Sequence, residues 1–539
     1  MEQYYYEYEQ DSIYCYPDSF ILKNKLNIRE PETLEEAERN ITALRILELK
    51  QNPPKGKLTF KYFQKLHKQI FGDIYEWAGK VRNVNIAKGN MFCDCRFIED
   101  MMEEVFSELE KENYLQSCDT EEMADRLAYY LSEINALHPF REANRCLQCK
   151  KPMCQQGCPI HTPIPAMIKA LKEGGLEDAG AMLFANNPMS LVCSLVCNHE
   201  RQCEEHCVLG RKGQPVHVSS IENYISDTCL ERIKIDCAQK NGKKVAVIGA
   251  GPAGITIAIL LTQRGYSVTI FDSRDKIGGV LQYGIPEFRL PKSILDRYKK
   301  MLLSIGIKIR PNTTIGGALE IKDLFRDGYK SIFIGTGVWR PKTLGVKGES
   351  LGNVHFAIDY LANPDAYDLG DRVAIIGVGN SAMDVARTVI RKGSRHVTLY
   401  ARGRHSDASL HETQYAMLDG AKFEFCKGIV EINDHGPVFQ DVLYDEEGNI
   451  TGYSEDMQQV HADSVVISIS QGPKSKLVNT TDGLKATRNG LLQTSENGAT
   501  TVEGIFASGD VVLGAKTVVE AVAYSKVVAD AMDEYMKDK

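Results

Sequence analysis

A strand, a glycine turn and a helix occur twice in this chain, first from Val245 and again from Val373, and the duplication commits everything after Lys243 to an α/β architecture. The first copy, KKVAVIGAGPAGITIAILLTQRGYSVTIFD, sets Gly249, Gly251 and Gly254 between an apolar strand and a helix, and Asp272 ends the next strand. Gly249 permits the tight turn, Gly251 lets a pyrophosphate approach backbone N–H groups, and Gly254 allows the helix to pack close to the strand. The helix N-terminus favours the phosphate charge, and Asp272 is placed to accept ribose hydroxyls. The second copy, RVAIIGVGNSAMDVARTVIRKGSRHVTLYARGR, carries Gly377 and Gly379, with Ala382 in the third place. Its second strand is followed by Arg402 and Arg404 where NAD binders present a carboxylate, and guanidinium groups there suit a 2'-phosphate, so NADPH is the expected ligand. Short β-branched runs such as SIFIGTG and SVVISIS alternate with helical stretches, as in parallel sheets covered on both faces.

The second constraint is the placement of cysteine. Of 15 cysteines, eight fall between Cys146 and Cys207, and only Cys426 follows Cys237. Cys146, Cys149, Cys154 and Cys158 form C-x2-C-x4-C-x3-C-P, and Cys193, Cys197, Cys203 and Cys207 form C-x3-C-x5-C-x3-C. Thiolates so spaced grip soft metals. Zinc is the rival, but its structural sites favour paired C-x2-C arms, whereas irregular spacing and a proline after the fourth cysteine suit iron–sulfur clusters. The opening MEQYYYEYEQDSIYCYPDSF has neither a basic nor an apolar leader region, and no apolar run approaches a membrane span, so a soluble cytoplasmic protein with no membrane partner is expected. A net charge of -8 gives no reason to expect nucleic acid.

Two further segments bear on which nucleotide sits where. In GIFASGDVVLGAKTVVEAVAYSK a strand ends at Gly509 and Asp510 before a helix, and such a carboxylate can bind flavin ribityl hydroxyls. DKIGGVLQYGIPEFRLPK supplies Gly278 and Gly279, where backbone can lie flat on a flavin. The pattern resembles the flavoprotein reductases with two dinucleotide domains, in which the FAD domain is interrupted by the NADPH domain. That resemblance assigns FAD to the first fingerprint and NADPH to the second.

RCLQCKKPMCQQGCPIHTPIP, CEEHCVLG, GAGPAG, GVLQYGIPEFRLPK and GVGNSAMD together resemble the small subunit of NADPH-dependent glutamate synthase and the matching N-terminal half of dihydropyrimidine dehydrogenase, over residues 145–539. The resemblance implies two [4Fe-4S] clusters with interleaved ligands: Cys146, Cys149, Cys154 and Cys207 for one, and Cys158, Cys197, Cys203 and Glu222 for the other, with Cys193 spare. It also implies an activity, in which hydride passes from NADPH to FAD and single electrons pass through the clusters to a partner. That partner would be a large catalytic subunit of the glutamate synthase or pyrimidine reductase type. No side chain is required as acid or base for the hydride step.

Residues 1–145 read as helical, with amphipathic runs TFKYFQKLHKQIF and ADRLAYYLSEINAL. INALHPFREANR resembles the HPFx(D/E)GNGR motif of the Fic family, which transfers AMP from ATP to protein hydroxyls, and GDIYEWAGKVRNVNIAKGNMFC resembles its helix and target-binding flap. By that resemblance His138 is the catalytic base, Glu142 holds Mg2+ and Asn144 meets phosphate. The segment departs from the motif, however: Ala143 replaces the first glycine, Arg145 follows Asn144 directly, and the next residue already belongs to the cysteine arm. A phosphate turn without its glycine cannot converge its N–H groups on an anion. Adenylylation with ATP and Mg2+ is therefore the alternative function, set against an inactive remnant or docking surface.

The fold class expected is multidomain: an α-helical Fic-like module at 1–145, an α-helical double [4Fe-4S] domain at 146–240, and two Rossmann-like domains. The FAD domain takes 243–365 and 466–539, and the NADPH domain takes 366–465.

Overall fold

A computed structural model describes residues 14–16, 21–52, 54, 56–82, 87–88, 90–91, 98–116, 139–537 and 539. The chain divides into two compact units, Met1–Arg145 and Cys146–Lys539.

The first unit is helical, with Pro31–Gln51, Phe60–Phe71, Ile98–Lys111 and Pro139–Arg145 as its main elements. Thr59 starts the second helix by accepting a 3.2 Å hydrogen bond from Tyr62 N. Its apolar stripe buries Phe60 against Met101, Val105 and Phe106 of the third helix. Ala87–Lys88 and Asn90–Met91 pair as a short antiparallel ribbon within the flap-like segment.

The second unit opens with five helices, Met153–Gly157, Ile164–Lys172, Leu176–Asn186, Ser190–Val196 and Val218–Cys229, and continues into two parallel sheets. In the first sheet the strand order is Ile505–Ala507, Tyr329–Ile334, Lys244–Ile248, Ser267–Phe271, Lys308–Arg310. In the second it is Lys422–Glu424, His396–Tyr400, Arg372–Ile376, Ser464–Ile467, Val354–Phe356. Central strands such as Lys244–Ile248 and Arg372–Ile376 are buried on both faces beyond their first residue, which is why they read as unbroken apolar runs. The helix Pro252–Gln263 is buried on nearly every side and packs on the closing helix Val518–Lys537.

The division into helical and α/β parts matches the sequence reading, but two features differ. Val354–Phe356, expected in the FAD part, is the edge of the second sheet and pairs with Ser464–Ile467, so that sheet extends from Val354 to Ile467. The chain changes sheets at an antiparallel ribbon of Arg340–Pro341 with Gln471–Gly472, not at residues 365 and 466. An antiparallel sheet of Lys427–Asn433, Gly436–Tyr444, Ile450–Tyr453 and Gln458–Gln459 also stands within the second nucleotide fold.

Arg297, on the helix Lys292–Ser304 of the first nucleotide fold, reaches back to the helix Val218–Cys229 and the turn after it. It donates to the Asp227 carbonyl at 2.6 Å and to Glu231 Oε2 at 2.8 Å, and pairs with the Asp227 carboxylate. Tyr298 beside it donates to the Pro188 carbonyl at 3.0 Å. Arg297→Ala is expected to cost about 1–2 kcal/mol and lower the melting temperature by a few degrees in calorimetry, because the Asp227 carbonyl loses its charged donor. Among the described residues no single helix is long and apolar enough to cross a membrane.

Candidate functional site

The first glycine turn is shaped by three different contacts. Gly249 has φ +106°, and a side chain there would place Cβ 2.4 Å from the Gly335 carbonyl oxygen. A Cβ on Gly254 would stand 1.9 Å from the Gly249 carbonyl oxygen, so the helix meets the turn at backbone contact. Gly251 caps the helix Pro252–Gln263, and a Cβ on it would meet nothing within 4 Å. The open space thus lies over the N–H groups of a helix start, as a bound pyrophosphate requires. Gly278 N–H donates to the Ala250 carbonyl at 2.8 Å, and Gly279, at φ +55°, rests so close to Gly251 that its Cβ would be 3.0 Å from Gly251 Cα. Asp272 accepts from Ala250 N at 2.6 Å and from Arg274 N at 2.8 Å, and burial pushes its carboxyl upward. Asp510 accepts from Lys516 N at 3.2 Å, and burial lifts its carboxyl to about 6. Gly509 precedes it at φ +73°.

Gly249, Gly251, Asp272, Gly279 and Asp510 line one open cleft. Asn380, Ser381 and Asp384, from the helix that follows the second glycine turn, also line it, and so does Val196, from the helix Ser190–Val196. The second turn repeats the first: Gly377 has φ +125° and faces the Ser468 carbonyl, Gly379 caps the helix Asn380–Arg391 over open space, and Ala382 is buried beneath it. Arg402 and Arg404 are exposed after the strand His396–Tyr400; the Arg404 guanidinium lies 4.4 Å from the Tyr444 ring and donates to the Asp445 carbonyl at 3.3 Å.

Several cleft residues were not evident from sequence. Arg274 packs over two rings set edge to face, 4.5 Å from the Tyr283 centroid and 4.6 Å from that of Trp339. Arg289 bridges the two nucleotide folds, pairing with Asp384 at 2.8 Å and Glu412 at 2.9 Å. The segment DKIGGVLQYGIPEFRLPK held Tyr283 and Arg289 in view, but Arg274 precedes it, and Trp339, Asp384 and Glu412 come from distant segments.

The cysteines separate into two groups. Cys146, Cys149, Cys154 and Cys207 line a common cavity walled by Ile164, Ile168, Val216 and Val218. Burial, with neighbouring Cys207 and Cys146 adding to it, lifts the Cys154 thiol to about 11. Cys158, Cys197 and Cys203 each stand close enough to Glu222 for its charge to raise their thiols, with burial the main cause for Cys158 and Cys203, and a hydrogen bond with Cys193 for Cys197. Glu222 itself is 5% exposed and lifted to about 8 by burial. Uncompensated buried thiolates are unfavourable, and iron in each group would supply the missing positive charge.

In the N-terminal unit His138 lies outside the described residues. Pro139–Arg145 is one helix, so Glu142, Ala143 and Asn144 occupy consecutive helical positions with no glycine turn between them. Glu142 is buried and accepts two hydrogen bonds from Arg145, at 2.8 and 3.0 Å, while Asn144 is exposed.

Residues 243–525 match the family described as pyridine nucleotide-disulphide oxidoreductase, residues 124–233 match dihydropyrimidine dehydrogenase domain II, 4Fe-4S cluster, and residues 57–148 match the Fic/DOC family. The glutamate synthase [NADPH] small chain of Escherichia coli is 32% identical over 74% of this chain and 91% of its own length. The chain belongs to the glutamate synthase small-chain family. Its counterpart in Azospirillum brasilense is 33% identical, covering 74% of this chain and 89% of itself. Subunit PreT of the NAD-dependent dihydropyrimidine dehydrogenase of Salmonella typhimurium is 30% identical, covering 76% and 98%. As a member of this family the chain is an oxidoreductase with FAD and [4Fe-4S] clusters as cofactors, and the zinc reading is set aside.

Proposed function

We propose that the chain takes hydride from NADPH in the cleft and delivers single electrons, by way of its two cysteine groups, to a large catalytic subunit. The observation that carries this reading is the single cleft lined by both nucleotide folds and by Val196, whose neighbour Cys197 belongs to the Glu222 group. FAD bound there supplies the exchange between two-electron and one-electron chemistry. Gly251 and the helix start behind it hold its pyrophosphate, Asp272 its ribose and Asp510 its ribityl chain. Gly379 and the start of Asn380–Arg391 hold the second dinucleotide, with Arg402 and Arg404 on its 2'-phosphate. Cys158, Cys197, Cys203 and Glu222 hold the cluster beside the cleft, and Cys146, Cys149, Cys154 and Cys207 hold the one beyond it. The relatives named as small chain and as subunit support a separate acceptor subunit.

Anaerobic addition of NADPH to the cofactor-loaded protein is expected to bleach the flavin band; a band that stays unchanged would reject the reading. Two charge-assisted contacts at about 1.5 kcal/mol each imply that Arg402→Glu with Arg404→Glu raises KM for NADPH roughly 100-fold and leaves NADH nearly unaffected. Equal loss with both nucleotides would remove these arginines from the 2'-phosphate.

A further inference from the structure

Phe288 and Arg289, adjacent in the segment PEFRLPK of the first nucleotide fold, reach together into the second. Arg289 Nη1 donates to both carboxylate oxygens of Asp384, at 2.8 and 3.0 Å, and its Nε pairs with Glu412 at 2.9 Å. The two acceptors lie on different helices, Asn380–Arg391 and Leu410–Asp419. Behind them the charges go on alternating: Arg387 donates to Glu412 at 3.1 Å and to Asp419 at 2.9 Å, and Arg391 pairs with Asp419 as well. Three guanidinium groups thus face three carboxylates, with side chains 1–13% exposed, and Arg289 alone of the six comes from the first fold. Phe288 adds a second grip, since its ring centroid lies 4.6 Å from the Arg387 guanidinium and 4.1 Å from that of Arg391.

Arg289 and Asp384 both line the cleft, and Asp384 lies one turn past Asn380, at the start of the helix that follows the second glycine turn. The pair therefore stands where two bound dinucleotides must meet. The covalent joint between the folds is slight, a ribbon of Arg340–Pro341 with Gln471–Gly472. Apolar packing of Val280–Tyr283 on Ala357–Ala362 draws the folds together, but apolar contact has no preferred direction. A planar guanidinium between two carboxylates has one, and a buried ion pair of this kind serves arrangement more than strength.

We propose that Phe288 and Arg289 latch the second nucleotide fold to the first at the angle at which NADPH faces the flavin, which makes Arg289 a positioning residue for hydride transfer. The inference rests on the reading that the first fold holds FAD and the second NADPH. Because two carboxylates of the protein engage its guanidinium, Arg289 acts through the fold and not through a contact with the nucleotide. Without the latch each dinucleotide keeps its own glycine turn and helix start, so binding persists, but the distance between nicotinamide and flavin is no longer held. A misplacement of about 1 Å slows such a reaction about 100-fold.

The test is anaerobic stopped-flow reduction by NADPH of the full chain loaded with FAD and both clusters. It compares wild type, Arg289→Lys, and Arg289→Met combined with Glu412→Gln. The double variant removes one charge of each sign from the buried cluster, and Arg289→Lys keeps the charge without the planar fork. In the double variant the rate of flavin reduction at saturating NADPH is expected to fall about 100-fold, with KM for NADPH within about threefold of wild type. The long-wavelength charge-transfer band between reduced flavin and NADP+ is expected to vanish with it, while flavin per chain stays at the wild-type level. Arg289→Lys is expected to lie between the two. A wild-type rate and band in the double variant would overturn the proposal. So would a rise in KM without a fall in rate, which would make Arg289 a nucleotide contact. If the double variant does not fold, Arg289→Lys decides by the same readings: a slower rate with a weaker band supports the latch, and wild-type values reject it. Wild type that NADPH does not bleach would sink the nucleotide assignment itself, a result distinct from an unimpaired variant of a chain that NADPH reduces.

Discussion

Cys154→Ala is expected to remove roughly half of the iron and acid-labile sulfide and to stop electron delivery to one-electron acceptors, while NADPH still bleaches the flavin. Cys154 shares its cavity with Cys146, Cys149 and Cys207, so its loss leaves three thiols around that site and leaves the Cys158, Cys197, Cys203 and Glu222 group complete. The cleft is lined from the iron–sulfur helices by Val196 alone, beside the second group, so hydride arrival does not depend on the first. A fall of 100-fold or more in acceptor reduction with an unchanged rate of flavin bleaching is the expected pattern. The control is Cys193→Ala. That thiol is buried against Cys197 and stands outside both groups, so its loss should leave the iron content intact and cost about 1–2 kcal/mol of stability. Iron analysis combined with stopped-flow absorbance checks both. If Cys193→Ala loses half the iron and Cys154→Ala loses none, the interleaved assignment is wrong.

The two nucleotide folds were legible because their signal is local. A strand, a glycine triplet and a helix lie within about thirty residues, and Gly254 is required by a contact inside that stretch, against Gly249, although Gly249 itself meets the Gly335 carbonyl from outside it. The cysteine grouping was legible only through resemblance. Spacing tells which thiols are neighbours along the chain, but Cys207 joins Cys146 and Glu222 joins Cys158 by way of helix packing that no single segment encodes. The hairpins after Lys427 carried their own signals in the turns at Asp434–His435–Gly436 and Glu447–Gly448–Asn449, yet the alternation of strand and helix around them drew attention away. Val354–Phe356 was misplaced because a three-residue strand has too short a pattern to declare its sheet; its pairing with Ser464–Ile467 is decided more than a hundred residues later. The Arg289 bridge to Asp384 and Glu412 was hidden for the same reason, since charge partners in a fold need not be near in sequence.

Gly254→Ala and Gly251→Ala, three residues apart, are expected to fail in different ways. An alanine at 254 sets Cβ 1.9 Å from a backbone oxygen that cannot rotate aside, so the helix Pro252–Gln263 must lift from its strand. Overpacking of this kind costs about 1–3 kcal/mol where neighbours can yield and more where backbone is struck, so Gly254→Ala should lower the melting temperature even of flavin-free protein. Gly251, by contrast, has a φ of -77° that any residue adopts and no atom within 4 Å of its would-be Cβ. Its alanine variant should fold with a change of about 0.5–1 kcal/mol, the usual difference at a helix start. The added methyl nonetheless occupies the space over the helix N–H groups, where the pyrophosphate must come closest. Losing one or two charge-assisted N–H contacts at about 1.5–3 kcal/mol each weakens FAD binding by 10-fold at the least. Gly379→Ala repeats the experiment in the second fold, with the same open space beside the same helix start. It should keep its flavin and raise KM for NADPH by a similar factor. Flavin retained per chain after gel filtration, melting temperature without flavin and KM for NADPH together separate the three. Were Gly251→Ala to hold FAD as tightly as wild type while Gly379→Ala lost it, the assignment of FAD to the first turn and NADPH to the second would have to be exchanged.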